Sequence, residues 1–258
     1  MAFLQARMNK PPPDWLQCQR EYWDTIAPSY DRFYQTEWSR LEDLDTVDML
    51  RAAVARRGSR ILELGCGTGY GFNLCRSFDA GIEYVGIDIS ENMLEQFRKQ
   101  YSSHNYSLVC GSMSNLRDYA LGQFDCIICI YTTLSFADNP VNTLRDCFHL
   151  LKPGCMLVVS IANRWSLRRI LRCKFTRIES DFKTRGDRQS AVKTPAWTAS
   201  LEEACSLMRC AGFTNLTASG QGLLAGVLEV HQLWKLDRRV ARVVPQLCHT
   251  LNLRGQKP

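Results

Sequence analysis

Apolar positions along this chain gather into short unbroken runs, separated by stretches that repeat at helical spacing. The runs at Arg60–Cys66, Glu83–Ile89, Ser107–Cys110, Phe124–Ile130 and Cys155–Ala162 have the length of strands buried on both faces. Between them, Tyr70–Phe78, Glu91–Tyr101 and the stretch from Pro140 to Leu151 are spaced as helices, with Ser90 placed to cap the second. Gly111–Leu116 reads as a loop, and Lys152-Pro153-Gly154 predicts a turn. Beyond these, the pattern predicts a helix over Leu201–Ala211 stopped by Gly212, and a sixth strand over Phe213–Thr217. A helix over Leu224–Val244 and a last strand over His249–Gln256 complete the series. Strands alternating with helices predict an α/β fold: a three-layer αβα sandwich around a mostly parallel sheet.

Two segments stand outside that rhythm. Ahead of it, Trp15–Tyr34 is amphipathic and rich in aromatics, predicting one or two helices with a break near Pro28. Trp38–Arg57 predicts a further helix, with Leu41, Leu44, Val47, Leu50 and Val54 on one face. Residues 1–14, with prolines at 11, 12 and 13, read as an extended leader. The second segment is Arg164–Thr194. Within it, Leu167, Ile170, Leu171, Phe175 and Ile178 share one helical face, and Arg164, Arg168, Arg169, Arg172 and Arg177 crowd the rest. No internal repeat or linker is visible. The reading is one domain over 1–258, with a helical cover at 15–57 and a basic insertion at 164–194.

Composition narrows the class. A chain of 258 residues, 45% apolar and 22% charged, has the make-up of a soluble globular protein able to bury a full core. It lacks the ~18-residue apolar run of a membrane-spanning helix, and its start lacks a secretory apolar core. Several of the twelve cysteines sit inside the predicted strands. Cys126 and Cys129, three apart in one strand, face opposite sides, so neither zinc nor a disulfide framework is expected. A reducing, cytoplasmic setting fits. Net charge is +6, but residues 164–193 hold ten Lys and Arg against three acids, so the rest of the chain is near neutral.

The candidate chemistry centres on Ser59–Tyr70, SRILELGCGTGY. A buried strand runs into Gly65, Gly67 and Gly69 and then into a helix. Such a turn lets a ligand approach the backbone and offers it the free N–H groups of a helix start. The spacing is G-x-G-x-G rather than the dinucleotide G-x-G-x-x-G. The second strand ends on Asp88, 19 residues after Gly69, where a carboxylate can meet ribose hydroxyls. Alone, a glycine turn can be only a turn, and an Asp at a strand tip can be only a helix cap. Together they make a nucleoside site.

In the order LELGCGTGYG, GIDISENML, FDCIICIYTTLSF and LLKPGCMLVVS, these segments resemble the class I S-adenosylmethionine (SAM) dependent methyltransferases. The resemblance runs from about residue 21 to the C-terminus and is nearest the small-molecule and ubiquinone/menaquinone C-methyltransferase-like branch. It implies a Rossmann-like, seven-stranded sheet whose last strand is antiparallel and inserted between the fifth and sixth. It also implies SAM as cofactor, with the backbone of Gly65, Cys66, Gly67 and Gly69 on its carboxylate and Glu63 near its ammonium. Asp88 would take the ribose diol, with Ile89 and Met113 as adenine walls. Ser112 stands where many members carry an Asp that contacts the adenine amine. Tyr22 and Tyr30 would close over the methyl group from the cover.

The acceptor is expected beyond the tip of the fourth strand, near Tyr131, Thr132 and Thr133, with Trp165 and Trp197 from the flanks of the insertion. Tyr131 and, among the four histidines, His231 are the candidates for acid–base work. The predicted function is methyl transfer to a small molecule by in-line displacement. A quinone, lipid or RNA acceptor stays open, with RNA or an anionic membrane met through 164–193. A SAM-binding protein without catalysis also stays open. The Asp-Pro-Pro-Tyr and Asn-Pro-Pro-Tyr motifs are missing after the fourth strand, so DNA is not an expected partner. A nucleotide-linked oxidoreductase would need a second domain that this length scarcely allows.

Overall fold

The structure is a computed structural model, and it describes residues 11–54, 57–184, 187, 190–224 and 231–258, without the side chains of Trp38, Ala52 and His231. Most of the predicted leader thus lies outside the described residues, as does the start of the predicted helix over Leu224–Val244. Strands β1 (Arg60–Leu64), β2 (Glu83–Asp88), β3 (Ser107–Cys110), β4 (Phe124–Cys129) and β5 (Leu151–Asn163) form where the apolar runs predict them. They pair in parallel in the order β3-β2-β1-β4-β5. Helices α4 (Tyr70–Phe78), α5 (Glu91–Gln100) and α6 (Pro140–Leu150) make the crossovers. The Ser90 side chain caps α5 by accepting from the Met93 N–H, as its position suggests.

The last strand, β9 (Thr250–Gln256), runs antiparallel between β5 and β8 (Thr214–Gln221). This is the insertion implied by the family resemblance. Burial separates two faces of the sheet. Leu62, Leu64, Ile127 and Cys129 pack into one cluster, and Ile61, Cys126, Ile128 and Phe72 into the other. Cys126 and Cys129 do face opposite sides.

Several details differ from the pattern. Among the described residues the sheet has nine strands rather than seven. Beyond Ala162, β5 also pairs in parallel with β7 (Thr194–Ala199), whose outer neighbour is the antiparallel β6 (Ile178–Phe182). Pro195 disguises β7, because proline inside a run argues against a strand. Lys152-Pro153-Gly154 is not a free turn but the start of β5. A register shift against β4 absorbs it, and Gly154 N–H donates to the Lys257 carbonyl at 2.9 Å.

The long basic helix is also replaced. Among the described residues of the insertion, Leu167–Leu171 alone is an α-helix (α7), and Leu171 and Phe175 stay exposed at 65% and 41%. Carboxylates draw the basic residues into pairs instead: Arg164 and Arg177 with Glu203, Arg169 with Glu179, Lys174 with Asp181.

The cover matches its pattern more closely. Helix α1 (Trp15–Ile26) passes through a 3-10 turn at Ala27–Ser29, with the break at Pro28, into the short α2 (Tyr30–Phe33). Helix α3 (Glu37–Ala53) buries Leu50 of the predicted face, as the chain just beyond it buries Val54, and packs Val47 on the core, but it also turns Thr46 and Met49 inward and leaves Leu44 43% exposed. Asp45 and Asp48 pair with Arg238 of α9 (Trp234–Val243), which helps to fix this rotation. Helix α8 (Leu201–Ala211) has the capping box Ser200/Glu203 and ends on left-handed Gly212.

Candidate active site

The chain leaves β1 through three glycines with positive φ: +65° at Gly65, +52° at Gly67 and +95° at Gly69. At Gly65 a side chain is doubly excluded, because a Cβ there would lie 2.3 Å from the Thr133 methyl beyond β4. The bend turns the Gly67 N–H toward the neighbouring strand tip, where it donates to Asp88 Oδ2 at 2.8 Å. Ser90 N–H donates to Oδ1 at 2.9 Å. The glycine turn and the β2 carboxylate therefore meet at the carboxyl end of two adjacent parallel strands, the place where open α/β sheets hold nucleotides.

A cleft of about 770 Å³ opens there. Gly65, Gly67 and Asp88 form its floor, and Ile87, Ile89, Met93 and Met113 supply apolar walls. Ser112 lines it as well. The cover closes it with Trp23, Tyr30 and Tyr34, and Tyr131, Thr132 and Thr133 close it from the β4 side. Tyr131 and Thr132 both hold left-handed backbone, φ +55° and +62°, a costly conformation for two side-chain-bearing residues in succession.

Two carboxylates fasten the cover to this floor. Asp24 on α1 accepts from the Ser90 hydroxyl at 2.6 Å, and Asp31 on α2 accepts from the Thr68 hydroxyl at 2.6 Å. Burial pushes the Asp88 carboxyl up to about 6, against the pull of the Ser90 and Gly67 N–H groups, and nearby Asp24 adds to the rise. Glu63 is pushed up to about 8, mainly by burial, opposed by the Tyr84 hydroxyl that it accepts and raised further by Asp88.

Of the predicted site residues, the structure brings Gly65, Gly67, Asp88, Ile89, Ser112, Met113, Tyr30, Tyr131 and Thr132 to one cleft. Others lie elsewhere. Glu63 points under α4, where Gly71 makes room for it: a Cβ on Gly71 would sit 2.1 Å from Glu63 Oε1. The Cys66 thiol is buried against Gly86, and Gly69 packs on Phe97 and Tyr101. Tyr22 is buried and accepts the Thr184 N–H at 2.7 Å while donating to Asp187. Trp197 is buried and donates to the Ala137 carbonyl at 2.8 Å. Trp165, 44% exposed, packs on Phe175. His231 begins a 3-10 turn, and its side chain lies outside the described residues.

Sequence reasoning missed Trp23, Met93, Phe136 and Phe182 in the cleft. Trp23 had a visible signal, since it neighbours Tyr22 on the same aromatic helix but one step around it. It also missed Asp43 of α3, which accepts from the Tyr131 hydroxyl at 2.9 Å and from Tyr70. No spacing rule links Asp43 to a strand tip 88 residues away.

Chemically, the floor suits an adenosyl amino acid. The fixed Asp88 carboxylate would take vicinal hydroxyls, the Gly65–Gly67 backbone would take a carboxylate, and Ile89 and Met113 would flank a base. Residues 61–154 match the family model described as a methyltransferase domain. These residues belong to the class I SAM-dependent methyltransferases.

The methyltransferase domain has curated relatives of known naming. A malonyl-[acyl-carrier protein] O-methyltransferase of Priestia megaterium is 26% identical over 158 residues, covering 61% of this chain and 56% of the relative. A demethylmenaquinone methyltransferase of Lactococcus lactis is 29% identical over 143 residues, covering 54% and 56%. The chain thus spans little more than half the length of these relatives. Among solved structures, a possible histamine N-methyltransferase from Thermotoga maritima superposes with a TM-score of 0.60 at 21% identity, over 93% of this chain and 100% of that one. That likeness shows the fold of the methyltransferase domain.

Proposed function

We propose that the whole chain works as one SAM-dependent methyltransferase that transfers a methyl group to a small-molecule acceptor. The observation that carries the reading is the Gly67 N–H on the Asp88 carboxylate, at the floor of a cleft walled by apolar and aromatic side chains. When bound, SAM supplies an activated methyl on a sulfonium, so the protein's share is mostly positioning and exclusion of water. Asp88 holds the ribose, the backbone at Gly65 and Gly67 receives the amino-acid end, and Ile89, Met113 and Ser112 receive the base. The cover, latched by Asp24 and Asp31, keeps water out. Tyr30 and Tyr131 both line the cleft, where aromatic faces tolerate a cationic sulfur.

The names of the quinone and malonyl relatives support a small-molecule acceptor. The twelve cysteines stand as free thiols, which supports a reducing, cytoplasmic setting. Among the described residues, no helix is long and apolar enough to cross a membrane.

Calorimetry with S-adenosylhomocysteine (SAH) tests the reading. The wild-type chain binds it, and Asp88→Ala weakens binding at least tenfold, since a hydrogen bond to a charged group is worth about 1.5–3 kcal/mol. Equal affinity in the two proteins refutes the assignment of Asp88.

A further inference from the structure

A second cleft lies on the other side of Tyr30, Tyr34 and Tyr131, which line both. Its volume is about 1020 Å³. Tyr70 and Tyr101 bring its phenol rings to five, and Tyr70 meets Tyr131 edge to face at 5.7 Å. Two of its lining residues are acids, Asp31 and Asp43, against one base, the exposed Arg40. Asp31 is engaged by the Thr68 hydroxyl. Asp43 is held by two neutral phenols, those of Tyr131 and Tyr70. A carboxylate ringed by electron-rich aromatic faces is the environment that an organic ammonium group prefers, through charge pairing and cation–π attraction together.

We propose that this tyrosine-walled cleft is the acceptor site and that it takes a primary amine, whose ammonium group pairs with Asp43 beside Tyr131. The inference deepens the methyltransferase reading and rests on it. Tyr131 is the shared wall. Its left-handed backbone and its bond to Asp43 fix the phenol where the two clefts meet, so the acceptor site adjoins the donor cleft. Burial holds the Asp43 carboxyl above its ordinary range, against the two phenol bonds, which is the direction a proton acceptor needs.

The ammonium gives one proton to Asp43, and its freed lone pair forms a bond to the methyl carbon. The carbon–sulfur bond breaks toward sulfur, leaving a methylated ammonium and neutral SAH, and Asp43 returns its proton to solvent.

The test is calorimetry on the full chain with SAH present, titrating 2-phenylethylamine and, separately, 2-phenylethanol at pH 7. The expected result is at least tenfold tighter binding of the amine. The Asp43→Asn variant is expected to bind SAH as the parent does and to lose the preference. Alcohol and amine binding alike in the parent overturns the proposal, and so does a preference that survives in Asp43→Asn. The parent comparison stands even if that variant fails to fold. Tyr70→Phe, which frees Asp43 from one neutral donor, then adds a second reading: amine binding holds or tightens, and a selective loss of it overturns the proposal. Loss of SAH binding by the parent would instead strike the methyltransferase reading, so the two failures are distinguishable.

Discussion

At Asp88, two backbone N–H groups hold an acid that burial has pushed up to about 6. The ionised form is the better acceptor for ribose hydroxyls, so SAH binding is expected to strengthen by roughly tenfold between pH 5 and pH 7 and then level off. Calorimetry at three pH values checks this, and Asp88→Asn should flatten the profile. Glu63 leads to a stability prediction. Its carboxyl titrates near 8 when folded and in the ordinary range, near 4.5, when unfolded. Between those values the folded chain holds a proton that the unfolded chain does not. Its contribution to stability is therefore complete below 4.5 and is lost as pH rises toward 8, with a slope of up to about 1.4 kcal/mol per pH unit. Urea unfolding at pH 5 and pH 8 should show a smaller difference for Glu63→Gln than for the parent. Both acids stand out in the sequence, yet only Asp88 reaches the cleft. Glu63 is the last residue but one of β1 and Asp88 ends the neighbouring β2, and alternation along β1 turns Glu63 toward α4 and Gly71.

At the scale of elements, the cover and the insertion behave differently from their patterns. The cover was legible as aromatic helices with a break at Pro28, because 3.6-residue spacing is a local property. Its fastening was not, because the latches are hydrogen bonds that the Asp24 and Asp31 carboxylates accept from hydroxyls on other elements. Asp31→Ala should weaken SAH binding by about two- to tenfold, as loss of a bond worth about 0.5–1.5 kcal/mol would. It should leave the thermal midpoint almost unchanged, and an unaltered affinity would remove the latch from the site. In the insertion, local spacing misled: a face of Leu167, Ile170 and Phe175 suggested a long helix, but Arg169 within it pairs with Glu179, Arg164 and Arg177 on its flanks pair with Glu203, and the chain turns into β6. Pairs of this kind leave less positive charge for phosphates. Co-sedimentation with tRNA and with anionic liposomes at 150 mM salt should accordingly show little retention, and strong salt-sensitive retention of either kind would revive a polyanion-binding role for 164–193.

Across the whole molecule, the sheet does two things that position the chemistry. Parallel pairing of β2, β1 and β4 sets Asp88, the glycine turn and Tyr131 side by side at one edge of the fold. The antiparallel β9, seated between β5 and β8, completes the sheet, so the far edge is extended by β7 and β6 and brings Phe182 and Thr184 over the cleft. Both clefts lie at the carboxyl ends of these strands and share Tyr30, Tyr34 and Tyr131 in their lining.

The order of the first five strands and their helices, the glycine bend and the acid at the second strand tip were determined by the sequence alone. Each is a matter of neighbours in the chain: run length, helical spacing, a residue that tolerates positive φ. The tertiary structure alone decided which of those residues share a cavity. It turned Glu63, Cys66 and Tyr22 inward to packing roles and brought Asp43, from a helix whose apolar face pointed elsewhere, onto the hydroxyl of Tyr131. The reason is that side-chain direction depends on how each element is rotated against the sheet. That rotation is set by contacts among residues far apart in sequence, such as Arg238 with Asp45 and Asp48.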